Sequence, residues 1–153
     1  MKKKDWGNAV WFLFHTLAEK IKPEFATPAE LRILVDHITS ICDNLPCPFC
    51  QNHAMSYLRT INKNTIAESK EKLVDFLWNF HNNVNRLTKA KYFSKEELDK
   101  YKTANTGAIV SHFIKVMSAT SNNEKTMLHG FHRTLFLKKF REYIQANHQK
   151  FNG

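Results

Sequence analysis

Two cysteines separated by two residues give this sequence its clearest capacity for chemistry: Cys47 and Cys50 in Pro46-Cys47-Pro48-Phe49-Cys50. The prolines and the apolar pattern that follows predict a helix that begins here. Because a helix N-terminus presents unpaired N–H groups and a positive dipole end, we expect the pKa of these thiols to be lowered. Sulfurs one helical turn apart can reach bonding distance. The spacing therefore indicates a pair that alternates between dithiol and disulfide.

A metal site is the alternative interpretation of the same region. Cys42, Cys47, Cys50 and His53 follow the pattern C-x4-C-x2-C-x2-H, which is a possible Cys3His zinc set. The spacing is compressed and no distant ligand pair accompanies it, so we expect no metal. The competing hypothesis is a zinc-stabilised helical binding module whose basic tail contacts nucleic acid.

Two segments carry glycine, aromatic and polar residues at spacings that share one helix face. The first segment holds Gly7, Trp11 and His15, and the second holds His81, Asn82 and Asn85. Buried histidine and asparagine must be hydrogen-bonded. Two interpretations remain open: a polar network that caps the core, or a planar polar ligand that lies between helices, stacked on the first set and hydrogen-bonded by the second.

The elements that must position these residues are helical throughout. Apolar residues recur at helical spacing over about residues 6–21, 28–41, 48–61, 69–84 and 94–101. Asp5 is the expected N-cap of the first helix, and Thr27 with Glu30 and Ser94 with Glu97 form expected capping boxes. Strand-like alternation is absent. The prediction is an all-α fold: a four-helix bundle with a short fifth helix, then a helical C-terminal extension over about 109–119 and 123–149.

Composition narrows the class of protein further. A chain of 153 residues with 42% hydrophobic residues builds one domain with a real core, and 4 Gly and 4 Pro argue against a β-sandwich. We expect no membrane span, since no apolar run approaches ~20 residues, and no signal peptide. Residues 104–153 hold 7 Lys+Arg and 2 Asp+Glu. We interpret this as a lysine-rich surface that does not contact nucleic acid, and His129 and His132 as surface histidines.

The motifs Gly-x-x-x-Trp-x-x-x-His, Cys-x-x-Cys and His-Asn-x-Val-Asn occur in this order between about residues 5 and 102. Together they resemble the Erv/ALR family of FAD-linked sulfhydryl oxidases, in particular its branch in large cytoplasmic DNA viruses. The resemblance implies that residues 1–103 form an FAD-binding oxidase domain and that residues 104–153 form an extension of unknown role. It also implies a homodimer that acts in the host cytoplasm or the virion.

The resemblance also implies roles for individual residues. Cys47 would be the interchange cysteine, and Cys50 the cysteine next to the flavin, so that electrons pass from substrate thiols to FAD and then to O2, giving hydrogen peroxide. The implied cofactor-binding residues are Gly7, Trp11, His15, His53, His81, Asn82, Asn85 and Lys89, with Lys91 and Tyr92 as weaker candidates. Trp11 and His15 would line the isoalloxazine or adenine, and Lys89 would reach the pyrophosphate.

The chain departs from many family members because it lacks a second, shuttle cysteine pair. This implies that a thiol-containing substrate or a shuttle protein such as a thioredoxin-like one docks directly at Cys47. For Cys42 we favour a buried small hydrophobe over a bridge between subunits. Residues 104–153 would serve dimerisation, docking of the substrate protein or covering of the flavin. A third hypothesis is a redox-sensing adaptor that does not turn over substrate.

Overall fold

The computed structural model describes residues 2–122 and 127–153, and the side chains of residues 2–119 and 130–153. Its helices are α1 (Lys3–Lys20), α2 (Pro28–Cys42), α3 (Pro48–Arg59), α4 (Lys63–Ile66), α5 (Lys70–Thr88), α6 (Asp99–Lys102), α7 (Thr106–Asn122) and α8 (Met127–Asn147). Short 3-10 turns occur at Pro23–Phe25, Lys95–Leu98 and His148–Lys150. Over the described residues there is no β-strand, only an isolated bridge between Ile21 and Phe151. The prediction of an all-α fold is confirmed.

The first two helices begin differently from the predicted caps. Helix α1 begins at Lys3, so Asp5 lies inside the first turn and its prediction as N-cap is wrong. A carboxylate in the first turn still interacts favourably with the helix dipole, which explains why it stands there. Thr27 caps α2 by accepting the backbone N–H of Glu30 at 3.3 Å, as predicted. The Glu30 carboxylate, however, pairs with Lys150 at 2.8 Å, so no reciprocal bond that would close the expected capping box is seen.

The later helices begin at residues that the sequence marks. Ser69 caps α5 by accepting the N–H of Lys72 at 3.1 Å, and the capping box of Ser94 and Glu97 is confirmed. Helix α4 was not expected, because four residues are too few to show a hydrophobic period. The two predicted C-terminal stretches correspond to α7 and α8, and residues 123–126 of the second prediction lie outside the described residues.

The core lies where α1, α2, α3 and α5 face one another, and the last two long helices extend it. Leu13, Leu31 and Leu73 come from different helices and are fully buried. Helix α7 packs along α1 and buries Phe113 and Met117 in the same cluster. Helix α8 packs against α7 and α2. None of the described helices combines the length and apolar character that a bilayer crossing needs.

Candidate active site

The two cysteines of the Cys-x-x-Cys motif lie at the start of α3. Cys47 is the N-cap residue, and its sulfur accepts the backbone N–H of Cys50 at 3.2 Å. The two Sγ atoms lie 2.7 Å apart, and both cysteines are free thiols that are partly exposed. Pro48 occupies the first helical position, where its missing N–H costs no hydrogen bond. The predicted helix start is confirmed, and the local geometry suits a pair that forms and breaks a disulfide.

The pKa of Cys50 differs from the sequence-based expectation. Burial, and then the hydrogen bond and charge of Cys47, raise the pKa of the Cys50 thiol to about 11, while Lys3 acts in the opposite direction. The expected lowering of the pKa at the helix N-terminus is therefore wrong for Cys50. Desolvation disfavours the thiolate more than the helix end favours it.

Cys50 lies in the wall of a cleft of about 70 Å³ that is partly open to solvent. The cleft lies where α1, α3 and α5 meet, and most of its lining is apolar or aromatic. Its lining residues include Trp6, Gly7, Val10, Trp11, Phe14, Cys42, Phe49, Cys50, His53, Phe80 and Leu87. Cys47 is not among its lining residues. The two cysteines thus differ in their surroundings, since only Cys50 faces the cleft.

Gly7 leaves part of this cleft open. A Cβ built on Gly7 meets no heavy atom within 4 Å, apart from its own helix backbone and chain neighbours. Glycine in a helix interior costs about 0.5–1 kcal/mol relative to alanine, and no packing contact at this position explains that cost. The space beside Gly7 is therefore open at the wall that also carries Trp11 and Cys50.

Trp11 also belongs to a second cluster, the histidine stack, which we define as Trp11, His15, His81, Phe93 and Tyr101. The rings of Trp11 and His81 are parallel, with centroids 4.1 Å apart and an interplanar angle of 3°. His15 Nε2 and His81 Nδ1 share a hydrogen bond of 2.9 Å. Phe93 stacks on both histidines and Tyr101 on His15. In this structure the rings contact one another directly, as in the polar network considered above.

Both histidines of the stack are held neutral. Burial, with smaller contributions from His81 and Lys100, lowers the pKa of His15 to about 3. Burial and Lys100 lower the pKa of His81 to about 4. A neutral pair can share one proton between its facing nitrogens, with one ring as donor and the other as acceptor. The two histidines of the stack are thus uncharged at neutral pH and hydrogen-bond each other.

The remaining residues predicted from the sequence lie along the end of α5. Asn82 is 4% exposed, and its side chain accepts the N–H of Phe93 at 2.8 Å and donates to the carbonyl of Phe93 at 2.9 Å. Asn85 donates to the carbonyl of Lys91 at 3.0 Å. Lys89 ends the helix in the left-handed region with φ of 58° and is exposed. The two asparagines thus hold the segment that follows α5, and Asn82 in particular places Phe93 on the histidines.

The residues of the zinc alternative do not form a metal site among the described side chains. Cys42 is 2% exposed within the core, as expected for a small hydrophobe, and burial raises the pKa of its thiol to about 12. Among the described side chains, those of residues 2–119 and 130–153, no three of His, Cys, Asp or Glu converge as metal ligands would. The zinc hypothesis is not supported.

Lys3 and Phe93 are the site residues that sequence reasoning missed. Lys3 lines the cleft and favours the Cys50 thiolate. Its spacing was a usable signal, because Lys3 stands four residues before Gly7 and so continues the series of Gly7, Trp11 and His15 on one helix face. Phe93 had no local signal, since its contacts are with residues on two other elements.

The fold and site define a helical-bundle protein whose dithiol opens onto an aromatic cleft. The sequence model described as the Erv1/Alr family matches residues 8–104, and the chain belongs to this family.

Several characterised or named proteins are similar to the chain. A protein of Invertebrate iridescent virus 3, provisionally named as an FAD-linked sulfhydryl oxidase, is 34% identical over 100 residues, covering 65% of this chain and 67% of the relative. The FAD-linked sulfhydryl oxidase of African swine fever virus (isolate Tick/Malawi/Lil 20-1/1983) is 34% identical over 94 residues, covering 60% and 75%. The FAD-linked sulfhydryl oxidase ERV1 of Arabidopsis thaliana is 32% identical over 97 residues, covering 63% and 49%. No solved structure matches the chain at a significant level.

Proposed function

We propose that this protein is an FAD-dependent thiol oxidase that forms disulfide bonds in partner proteins and reduces O2 to hydrogen peroxide. One observation carries the proposal: in a chain of the Erv1/Alr family, Cys50 of a close dithiol forms part of the wall of an open aromatic cleft. A substrate thiol can approach Cys47 from outside the cleft, while Cys50 faces its interior.

The chemical character of the cleft walls supports a flavin ring as the ligand. Ligand sites are concave and mostly apolar, with few polar groups, and this cleft combines aromatic walls with the open space beside Gly7. Gly7, Trp11 and His53 would hold the isoalloxazine against Cys50. Bound there, FAD would supply an acceptor for two electrons from the dithiol and pass them on to O2.

We assign the rest of the cofactor-binding set to the other parts of FAD. His15 and His81 would support Trp11 and contact the adenosine part, together with Asn82 and Asn85. Lys89 is an exposed cation at the end of α5 and would reach the pyrophosphate, as a positive charge should.

The thiol chemistry follows from the placement of the two sulfurs. A substrate thiolate attacks Sγ of Cys47 in the Cys47–Cys50 disulfide. The new bond joins the substrate sulfur to Cys47, and Cys50 leaves as a thiolate. A second substrate thiolate then attacks the substrate sulfur of this mixed disulfide, releasing oxidised substrate and the Cys47 thiolate. The Cys47–Cys50 pair now carries two electrons.

The proton balance at Cys50 depends on its surroundings. Because burial and Cys47 raise its pKa to about 11 in the dithiol, the Sγ of Cys50 holds a proton at neutral pH. Lys3 lines the cleft and makes this rise smaller than it would otherwise be. Its ammonium group favours the thiolate form that electron transfer out of the dithiol requires.

The proposal extends to organisation and setting. Residues 1–103 would form the oxidase unit and residues 104–153 a helical extension that packs on it. The substrates would be thiol-containing proteins or a thioredoxin-like shuttle that dock at Cys47, and the active form would be a homodimer. The viral relatives support a viral protein that acts in the host cytoplasm or the virion, where reducing conditions make an added oxidant necessary.

An absorbance scan and an oxygen electrode test the proposal. The purified protein should be yellow with a flavin spectrum, and should consume O2 and release hydrogen peroxide with dithiothreitol. A colourless protein that binds no FAD on reconstitution would overturn the proposal. A flavoprotein that releases no peroxide would instead support a redox sensor without turnover.

A further inference from the structure

The loop that leads into Cys47 is held in place by side chains that donate hydrogen bonds to its backbone carbonyl groups. Residues 43–47 join α2 to α3. The Asp43 carbonyl accepts a hydrogen bond from Gln51 Nε2 at 2.8 Å. The next two carbonyls accept from one side chain: Arg133 Nε donates to Asn44 at 3.0 Å, and Arg133 Nη2 donates to Leu45 at 3.1 Å. Three consecutive peptide groups before Pro46 are therefore fixed by side chains from other elements.

Arg133 reaches this loop from α8, far along the chain and outside the segment that matches the family. Its side chain is 0% exposed, and burial lowers the pKa of its guanidinium. Burying a guanidinium is unfavourable unless hydrogen bonds compensate for its lost hydration. The planar fork of arginine can donate to two neighbouring acceptors at once, which the single ammonium of lysine cannot reproduce.

We infer that Arg133 is a positioning residue for thiol exchange, holding the Asn44–Leu45 backbone so that Cys47 presents its sulfur to an incoming thiolate. The inference rests on the proposed function. Pro46 has a fixed φ and no N–H, so it transmits the direction of the loop to Cys47 with little freedom. The C-terminal extension thereby contributes directly to the reaction.

Thiol–disulfide exchange depends strongly on this geometry, because the attacking sulfur must approach along the bond that breaks. A displacement of about 1 Å in a reacting group can cost on the order of a hundredfold in rate. A loop whose carbonyls lost their donors would turn toward water, and Cys47 would move with it.

The test compares three variants of the full-length flavoprotein: Arg133→Met, Arg133→Lys and, as a control, Arg141→Met. Arg141 lies on the same helix, is exposed and bonds only Ser118 Oγ at 3.4 Å among the contacts described, so its loss removes the same charge without touching the loop. Two quantities are measured per mole of folded, flavin-containing protein. These are kcat/KM for dithiothreitol and the alkylation rate of Cys47 by iodoacetamide in a Cys50→Ser background.

We expect Arg133→Met to lower kcat/KM by about tenfold or more and to change the alkylation rate of Cys47, with Arg133→Lys intermediate and Arg141→Met unchanged. A merely destabilising substitution would lower the yield or the Tm but leave both normalised rates as in the wild type. That result would overturn the inference. Failure of both Arg133 variants to fold would also overturn it, since the role would then be in the whole fold. An inactive wild type would instead contradict the proposed oxidase function.

Discussion

The cleft beside Cys50 and the histidine stack are neighbouring regions that share Trp11 and lie against the same two helices, α1 and α5. In the stack, every ring finds another ring, and the two histidines bond each other at 2.9 Å. In the cleft, aromatic and aliphatic walls surround a space of about 70 Å³, and a glycine stands where a side chain would fit. In the stack, side chains that hydrogen-bond and stack on one another fill the space between the helices. In the cleft, no side chain fills the space between the apolar walls.

This difference indicates that the histidine stack mainly supports Trp11, whereas the cleft is the proposed binding site for the flavin ring. Close packing is the normal state of protein interiors, so open apolar space at the side of a reactive thiol is where we propose that the ligand binds. The histidine stack packs against one face of Trp11 and supports it. The walls of the cleft would contact the proposed flavin. Each of the following experiments perturbs one of the two regions and compares the result with a matched control variant.

The largest effect should come from the sulfurs themselves. Cys47→Ser and Cys50→Ser should each abolish thiol-dependent O2 consumption, because serine forms no disulfide and accepts no thiolate attack. Cys42→Ala is the matched control: Cys42 also lines the cleft but makes no sulfur contact with the pair, so activity should persist. An oxygen electrode measures all three. Activity retained by Cys50→Ser would contradict the assignment of the pair.

Filling the open space beside Gly7 should give the next largest effect. Gly7→Leu should weaken FAD retention by roughly tenfold to a hundredfold, as expected for overpacking of a filled site. The free energy of unfolding of the flavin-free protein should rise by about 0.5–1 kcal/mol, because leucine favours helix over glycine. Equilibrium dialysis with FAD and urea unfolding measure the two quantities.

Gly107→Ala provides the control for this substitution. It lies near the start of α7, where a Cβ makes only an ordinary contact at 3.7 Å, so FAD retention should not change. Unaltered flavin binding in Gly7→Leu would show that the cleft is not the binding site.

The smallest effect concerns the stack and appears as a dependence of stability on pH. The pKa values of His15 and His81 in the folded protein, about 3 and about 4, lie below the ordinary value of 6.5. The unfolded chain therefore binds more protons as the pH falls from about 6.5 toward 4. Stability that is present above pH 6.5 is lost over that range, by at most about 1.4 kcal/mol per pH unit for each histidine.

Urea unfolding at several pH values tests this dependence. His15→Gln should show a shallower acid loss than the wild type, whereas replacement of the exposed His112 by Gln should leave the slope unchanged. Equal slopes in His15→Gln and the wild type would mean that the stack is not held neutral by the fold.

Local signals in the sequence were enough to predict much of the architecture. Helical periodicity predicted the long helices, and Thr27 was predicted correctly as the cap of α2, because those signals act within one turn. The cysteine pair and the face of Gly7 and Trp11 were also predicted from local spacing. The raised pKa of Cys50 could not be predicted in this way, because it arises mainly from burial by other helices.

Long-range contacts set the limit of sequence reasoning here. The hydrogen bond between His15 and His81 joins residues 66 positions apart, and the bonds of Arg133 to the loop span 88 and 89 positions. No sequence pattern within a single helix predicts such pairs. Their positions follow only from the packing of α1 on α5 and of α8 on α2.

The open cleft has a consequence for how the protein is produced. A ligand that binds only the folded state shifts the folding equilibrium in proportion to its concentration, and aromatic walls left uncovered expose apolar surface that promotes association. Cells starved of riboflavin should therefore accumulate less intact protein and more aggregate, and supplementing the growth medium with the vitamin should raise the yield.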